Sequence, residues 1–144
     1  MTAAPLAVTE AVAARLQTIT TANGYYTDLG NEVERTWPMY LLIHQQRDLP
    51  IITLHPASDS TSDSRGGAHR ASRELVIDAV FSPLETSIDV PDQWLADVRD
   101  ALAEIHDDEG AIRDVQLGVV EWKPLDSETQ VIQWVCPITV DYTQ

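Results

Sequence analysis

One run near the end of the chain limits the fold more than any other feature. Between Val131 and Tyr142 every second residue is apolar or aromatic: Ile132, Trp134, Cys136, Ile138, Val140 and Tyr142. A strand turns successive side chains to opposite faces, so this spacing makes one long strand with one buried face. Such a strand needs partners in a sheet and a second layer over its apolar side. A second run repeats the pattern over residues 74–82. Leu75, Ile77, Ala79 and Phe81 point one way; Glu74, Asp78 and Ser82 point the other, together with Val76 and Val80, and Pro83 ends the strand.

Two helices supply the covering layer. Residues 6–22 carry Val8, Val12, Leu16 and Ile19 at helical spacing, with Ala11 between them. Asn23-Gly24 reads as the stop of this helix, because glycine takes the left-handed conformation without steric cost. A second helix is predicted over residues 91–106, with Pro91 in a first helical position. Leu95, Val98, Leu102 and Ile105 form its apolar stripe, and Asp92, Asp97, Asp100 and Glu104 lie mainly on the other side.

The remaining segments are shorter. Trp37 to Ile43 and Pro50 to Leu54 read as two strands about a break at Gln45-Gln46-Arg47-Asp48. Val115 to Trp122 reads as one further strand, joined to the last by a hairpin connection over Pro124 to Gln130. Residues 56–72 have almost nothing to bury and read as a long, flexible polar loop. The expectation is one domain over residues 1–144, of α+β class. It has an antiparallel or mixed sheet and two helices, in the order α-β-β-loop-β-α-β-β. A chain of 144 residues with 44% hydrophobic side chains is the size of one such domain and needs no metal or disulfide to fold.

Charge is spread unevenly. The total is −14, but residues 1–73 hold 7 acids and 6 bases, whereas residues 74–128 hold 15 acids and 3 bases. Nucleic-acid binding draws on Lys and Arg to displace counterions, so the acidic part repels phosphates. One cysteine, Cys136, excludes an intrachain disulfide and fits a reducing cytosol. The N-terminus has no basic region ahead of an apolar core, and no stretch approaches the roughly 18 apolar residues of a membrane span.

Catalytic chemistry finds no foothold in the pattern. His44, His55, His69 and His106 do not fall at zinc-ligand spacing and read as ordinary surface or strand residues. Asp107-Asp108-Glu109 clusters oxygens but lacks the alternating ligands and central glycine of a calcium loop, and reads as a solvated turn. Gly66-Gly67 is not followed by Lys-Ser/Thr, so no phosphate loop is present. Ser60, Ser62 and Ser64 sit in the polar tract, where a nucleophile is not held in place. Cys136 lies on an apolar strand face and is expected to be a buried, inert thiol. No enzyme activity and no cofactor are expected. Of Trp37, Trp94, Trp122 and Trp134, most are expected in the core and one or two at an inter-subunit surface.

One stretch is more specific. The first helix ends Leu16-Gln17-Thr18-Ile19, followed by Asn23-Gly24-Tyr25-Tyr26-Thr27-Asp28-Leu29-Gly30, Val33 and Leu49-Pro50-Ile51-Ile52-Thr53. This helix, Gly-Tyr-x-Thr-x-x-Gly turn and Leu-Pro-x-Ile strand resemble the opening of phage tail terminator proteins, also called minor tail or tail completion proteins. The specific part covers roughly the first 55 residues; the later order matches only in pattern. Physically, Gly24 reads as a helix cap, Tyr25 and Tyr26 as packing over the helix end, and Gly30 as a close approach into the next strand. Gly24, Tyr25, Thr27, Gly30 and Pro50 are turn residues on this reading.

The resemblance implies a mechanical role. Terminator subunits form a ring, typically a hexamer, on the finished tail tube, stop its growth and present a joint to the head–tail connector. It implies a virion protein of the tail, assembled in the host cytoplasm, with the tail tube protein and the connector as partners and no membrane. DNA would pass through without specific binding. Asp92, Asp97, Asp100 and Glu104 are candidates for an acidic lumen. Arg65, Arg70 and Arg73 are candidates for contacts to a neighbouring subunit or the tube. Three rival functions stay open at this point: a head-completion or connector protein, an acidic inhibitor that mimics DNA, and a small metal-dependent hydrolase using Asp107, Asp108 or Glu109.

Overall fold

The computed structural model describes residues 4–62, 70–84, 86–103, 105, 112–126 and 131–143. Helix α1 (Ala4–Gln17) leads through two short 3-10 turns to a two-residue strand β1 (Val33–Glu34). A single π-type turn (Tyr40–His44) then precedes β2 (Ile51–Ser62) and β3 (Arg70–Phe81). Helix α2 (Asp89–Ala103) follows, then β4 (Ile112–Leu117), β5 (Glu121–Asp126) and β6 (Val131–Thr143). The class is α+β: two main helices and a six-stranded mixed sheet, in the order α-β-β-β-α-β-β-β. Strands run β1-β2-β3-β6-β4, with β5 on β6 beside β4; β1 is parallel to β2 and every other pairing is antiparallel.

Alternation works as the sequence implies. Leu75, Ile77 and Ala79 of β3 and Trp134, Cys136, Ile138 and Val140 of β6 are buried on one face. Both helices cover that face: Val8, Val12 and Leu16 from α1, and Trp94, Val98 and Leu102 from α2. The pairing sets the largest side chain against a small one, Trp134 opposite Ala79, which lets a close-packed layer form without strain. The other face has a small cluster of its own, Leu41, Ile51 and Val80, with Leu42, Leu49 and Val131 against it.

Three expectations need correction. Trp37 to Ile43 is not a strand. The parallel edge of β2 is taken by Val33–Glu34, and the apolar run forms the π-type turn, laying Leu41 on the second face. Short apolar runs do not distinguish strand from helix.

Residues 56–72 are not one loop. β2 continues to Ser62 and β3 begins at Arg70, in register from Ser58 opposite Glu74 to Ser62 opposite Arg70. A strand pair needs backbone partners rather than apolar side chains, and here the hydroxyls of Ser60 and Ser72 also bond at 2.6 Å. Of the expected loop, residues 63–69 lie outside the described residues.

Val115 to Trp122 is two strands rather than one. Both pair with β6, and the break at Gly118-Val119-Val120 lies opposite Cys136-Pro137. Proline has no N–H to give the ladder; Gly118 N instead donates to Pro137 O at 2.7 Å across a bulge.

Candidate functional site

The turn that carries the family resemblance docks between the helices. Helix α1 ends at Gln17, earlier than expected, so Gly24 (φ +90°) caps the 3-10 turn Thr21–Asn23 and not the helix itself. Gly30 gives a close approach, but to the end of α1 rather than to a strand. Its N–H donates to Ile19 O at 2.8 Å. A Cβ there would stand 2.6 Å from Gln17 O and 2.8 Å from Ile19 O, so any larger residue must displace backbone. Asp28 Oδ1 accepts from both the N–H and the hydroxyl of Thr21, closing the turn on itself. Tyr25 packs half-buried against the core, while Tyr26 is exposed. Pro50 follows a cis peptide and stands exposed just before β2.

Thr27 and Asp97 meet. Thr27 N and Oγ1 donate to Asp97 Oδ2 at 2.9 and 2.7 Å, and Tyr26 N donates to Oδ1 at 3.0 Å. Asp97 is fully buried. It therefore does not lie on the outer side of α2 with the other acids, as helical spacing alone suggested. A buried carboxylate needs donors at both oxygens, and the turn supplies three. The turn and helix together wall an open cleft of about 780 Å³ lined by Gly24, Tyr25, Asp97 and Asp100. Arg15 ties the helices a little further along, donating Nε to Ala101 O at 2.8 Å.

The other expected site residues separate. Asp92 and Asp100 are exposed on α2; Glu104 lies outside the described residues. Arg73 is turned inward, with Nη1 donating to Pro5 O at 2.8 Å and to Thr9 Oγ1 at 2.9 Å. Its Nε sits 3.2 Å from Asp59 Oδ1, an ion-pair distance whose N–H direction is too oblique for a hydrogen bond. This arginine thus holds the start of α1 onto β3. Arg70 is exposed and lines a polar cleft of about 430 Å³ with Arg113, Asp114 and Asp141. Arg65 lies outside the described residues, as do His69, His106, Asp107, Asp108 and Glu109.

A polar cluster stands on the second sheet face, away from every expected site residue. His55 of β2 approaches Asp78 Oδ2 with Nε2 at 2.8 Å and Pro56 O with Nδ1 at 3.1 Å. A carbonyl oxygen only accepts, so the Pro56 contact calls for the ring proton on Nδ1. Gln133 Nε2 donates to Asp78 Oδ1 at 2.6 Å. Burial pushes the Asp78 carboxyl above its usual value, against the opposing pull of His55, Gln133 and Lys123. Trp37 stacks on the His55 ring, with centroids 5.4 Å apart and planes 28° apart. The stack ties Trp37 to the sheet, and the apolar contacts of Leu41 hold the rest of the segment beside it. The cluster's signal was present: an aspartate inside Val76-Ile77-Asp78-Ala79-Val80 sits where strands avoid it and demands a partner.

Chemistry elsewhere is muted. Cys136 is buried, and burial pushes its thiol up to about 11, which removes the reactive thiolate at neutral pH. Among the described residues no group of three His, Cys, Asp or Glu can hold a metal ion. No described helix is long and apolar enough to cross a membrane. Trp94 and Trp134 are core residues, whereas Trp37 and Trp122 are about half exposed.

No protein-family model matches the chain, and no curated protein matches it in sequence. Its fold does match solved structures. A chain from the virion of a native gene transfer agent particle superposes with a TM-score of 0.67, covering 100% of both chains at 14% identity. At that identity the likeness is one of fold, and it extends from end to end.

Proposed function

We propose that this chain is a structural subunit of a phage-like virion, and within it a tail terminator. It closes the end of the tail tube as a ring, ends tube growth and offers a joint to the head–tail connector. The observation that carries the reading is the end-to-end fold likeness to a gene transfer agent virion chain. The Gly24 to Gly30 turn, which resembles tail terminators in sequence, supports it from a separate direction. No catalysis is assigned to it.

In such a ring the subunit meets the tail tube protein on one side and the connector on the other. Asp92, Asp100 and Glu104 line the channel, where negative charge lets DNA slide without sticking. Asp97 lies beneath that surface and braces it. Arg65 and Arg70 contact a neighbouring subunit or the tube, while Arg73, turned inward, holds the start of α1 onto β3. The protein resides in the virion tail after assembly in the host cytoplasm. A head-completion protein is the second reading, because fold likeness to a virion chain fits it equally well. A DNA-mimicking inhibitor needs an unbroken row of exposed carboxylates, and the burial of Asp97 interrupts the row on α2.

Mass by light scattering, with electron microscopy of the same sample, tests the reading. The expected result is rings alone, or caps on the ends of tail tubes from the same phage. A chain that binds a portal-side connector and never a tube end belongs to the second reading.

A further inference from the structure

Both ends of the sheet leave backbone without a ladder partner among the described residues. At one end, β1 meets β2 only at Ile52 and Thr53, so the rest of β2 is open on that side. At the other end, β4 pairs with β6 alone. An open edge is a row of N–H and C=O groups that can take an extended chain.

Edges that face solvent are commonly blocked by a proline, a basic side chain or a bulge. This sheet blocks part of its edge in that way. β2 has Pro56 and a register shift between Pro56 and Ser58. β5 has exposed Lys123 and Pro124, with a shift just after them. β4 has exposed Arg113 inside a shift between Ile112 and Asp114. Two stretches carry none of these devices: Ser58–Ser62 of β2 and Asp114–Leu117 of β4. The one charged side chain in each is engaged within its own chain. Asp59 lies 3.2 Å from Arg73 Nε, and Asp114 Oδ2 accepts from Gln116 Nε2 at 3.0 Å. Residues 57–61 are exposed, so burial does not account for this part of β2; its backbone is what it offers.

The two open stretches fit each other. Three antiparallel steps, β2 to β3 to β6 to β4, leave β2 and β4 running in opposite directions. A second copy turned about an axis along the strands therefore brings its β4 antiparallel to β2, the pairing of every long ladder in this sheet. Their side chains also keep to the same faces. Ser58 and Ser60 stand over the second face with Glu74 and Ser72; Asp114 and Gln116 stand over it with Asp141 and Thr139. Asp59 points to the helix face beside Arg73, so joining the edges sets no two carboxylates side by side from these stretches.

We propose that Ser58–Ser62 of one copy pairs with Asp114–Leu117 of the next, so that one sheet runs on through neighbouring subunits. The complement of each open edge is present on the chain itself, in equal number. The contact joins opposite ends of the sheet and is heterologous, and its repetition about a common axis closes a ring. The inference rests on the ring reading above and names its joint.

The test uses full-length chains with one added cysteine each: Ser60→Cys, mixed before assembly with Asp114→Cys or Gln116→Cys, then oxidised. All three positions lie at the surface, and Cys136 is buried and takes no part. In rings, free or on tube ends, Ser60→Cys is expected to link one of the two partners and double the mass on a non-reducing gel; the register decides which. Thr61→Cys, on the other face, is expected to link neither. Amides of residues 58–61 are expected to exchange about tenfold slower in the ring than in the free chain. Rings with neither link and with unchanged exchange overturn the joint and leave the terminator reading standing. Slowed exchange without either link gives the edge to a different strand and also overturns it, as does equal linking from Thr61→Cys. A wild-type chain that neither self-associates nor caps tubes removes the terminator reading and the joint together.

Discussion

The two faces of the sheet are built on different principles. One is dry: Leu75, Ile77, Trp134, Cys136 and Ile138 lie fully buried under α1 and α2. Among the described residues, the other is covered at one end, by the segment around Leu41. Beneath that segment lies an Asp78–His55–Gln133 network, and its outward side presents half-exposed aromatics. Hydrophobic burial holds the first face, where every methylene removed is felt. A few directional contacts hold the second, which leaves its outer side chains free of folding duties. The difference separates the side chains that fold this chain from those that folding leaves on the surface.

Stability measurements can break that separation. Trp134→Ala on the dry face is expected to cost about 3–5 kcal/mol, since the other layer cannot collapse into the space. Ile43→Asp, on the exposed side of the segment around Leu41, is expected to change stability by no more than about 0.5 kcal/mol. Urea unfolding midpoints compare the two directly; similar losses would erase the distinction.

Cys136 probes the dry face without mutation. With its thiol near 11 rather than 9.0, thiolate at pH 8 is about 100-fold scarcer than for an ordinary cysteine. Alkylation of the native protein is expected to be slower by at least that factor and to recover on unfolding. Rapid labelling in native buffer would show that α2 and the sheet part readily.

The docked turn gives the next effect. Asp97→Ala leaves three part-buried donors without their acceptor and is expected to cost about 2–4 kcal/mol. Gly30→Ala is expected to cost about 1–3 kcal/mol by pushing backbone against backbone. If Asp97→Ala leaves the thermal midpoint unchanged, the turn is not braced as the hydrogen bonds indicate.

The smallest effect lies on the second face. Asp78 binds its proton more tightly in the folded chain than in the unfolded one. Its contribution is therefore present in full below the usual value of 3.8 and is lost as pH rises through the raised value. Asp78→Asn cannot titrate, so the stability of wild type relative to the variant is expected to fall as pH rises from about 4. A difference that grows with pH would mean attraction to His55 outweighs burial.

Much of the dry face was legible in the sequence, because period-two alternation in 75–81 and 132–142 states which side chains turn inward. Both helices were legible for the same reason at a different period. The polar end of the β2–β3 hairpin was not: residues 58–62 and 70–74 pair through their backbones, and side-chain hydropathy carries no record of that. Helical spacing also misled at Asp97, whose burial depends on Thr27, a partner 70 positions earlier. The segment 37–43 was visible as an apolar run, but its shape depends on Val33–Glu34 having taken the edge of β2. Such long-range competition leaves no local pattern.

The most direct test of the central claim is the length of tail tubes grown from purified tube protein with and without this chain. A terminator is expected to halt elongation once its ring sits on the growing end, giving shorter tubes that bear a cap. Tubes that lengthen at an unchanged rate and carry no cap would contradict the account.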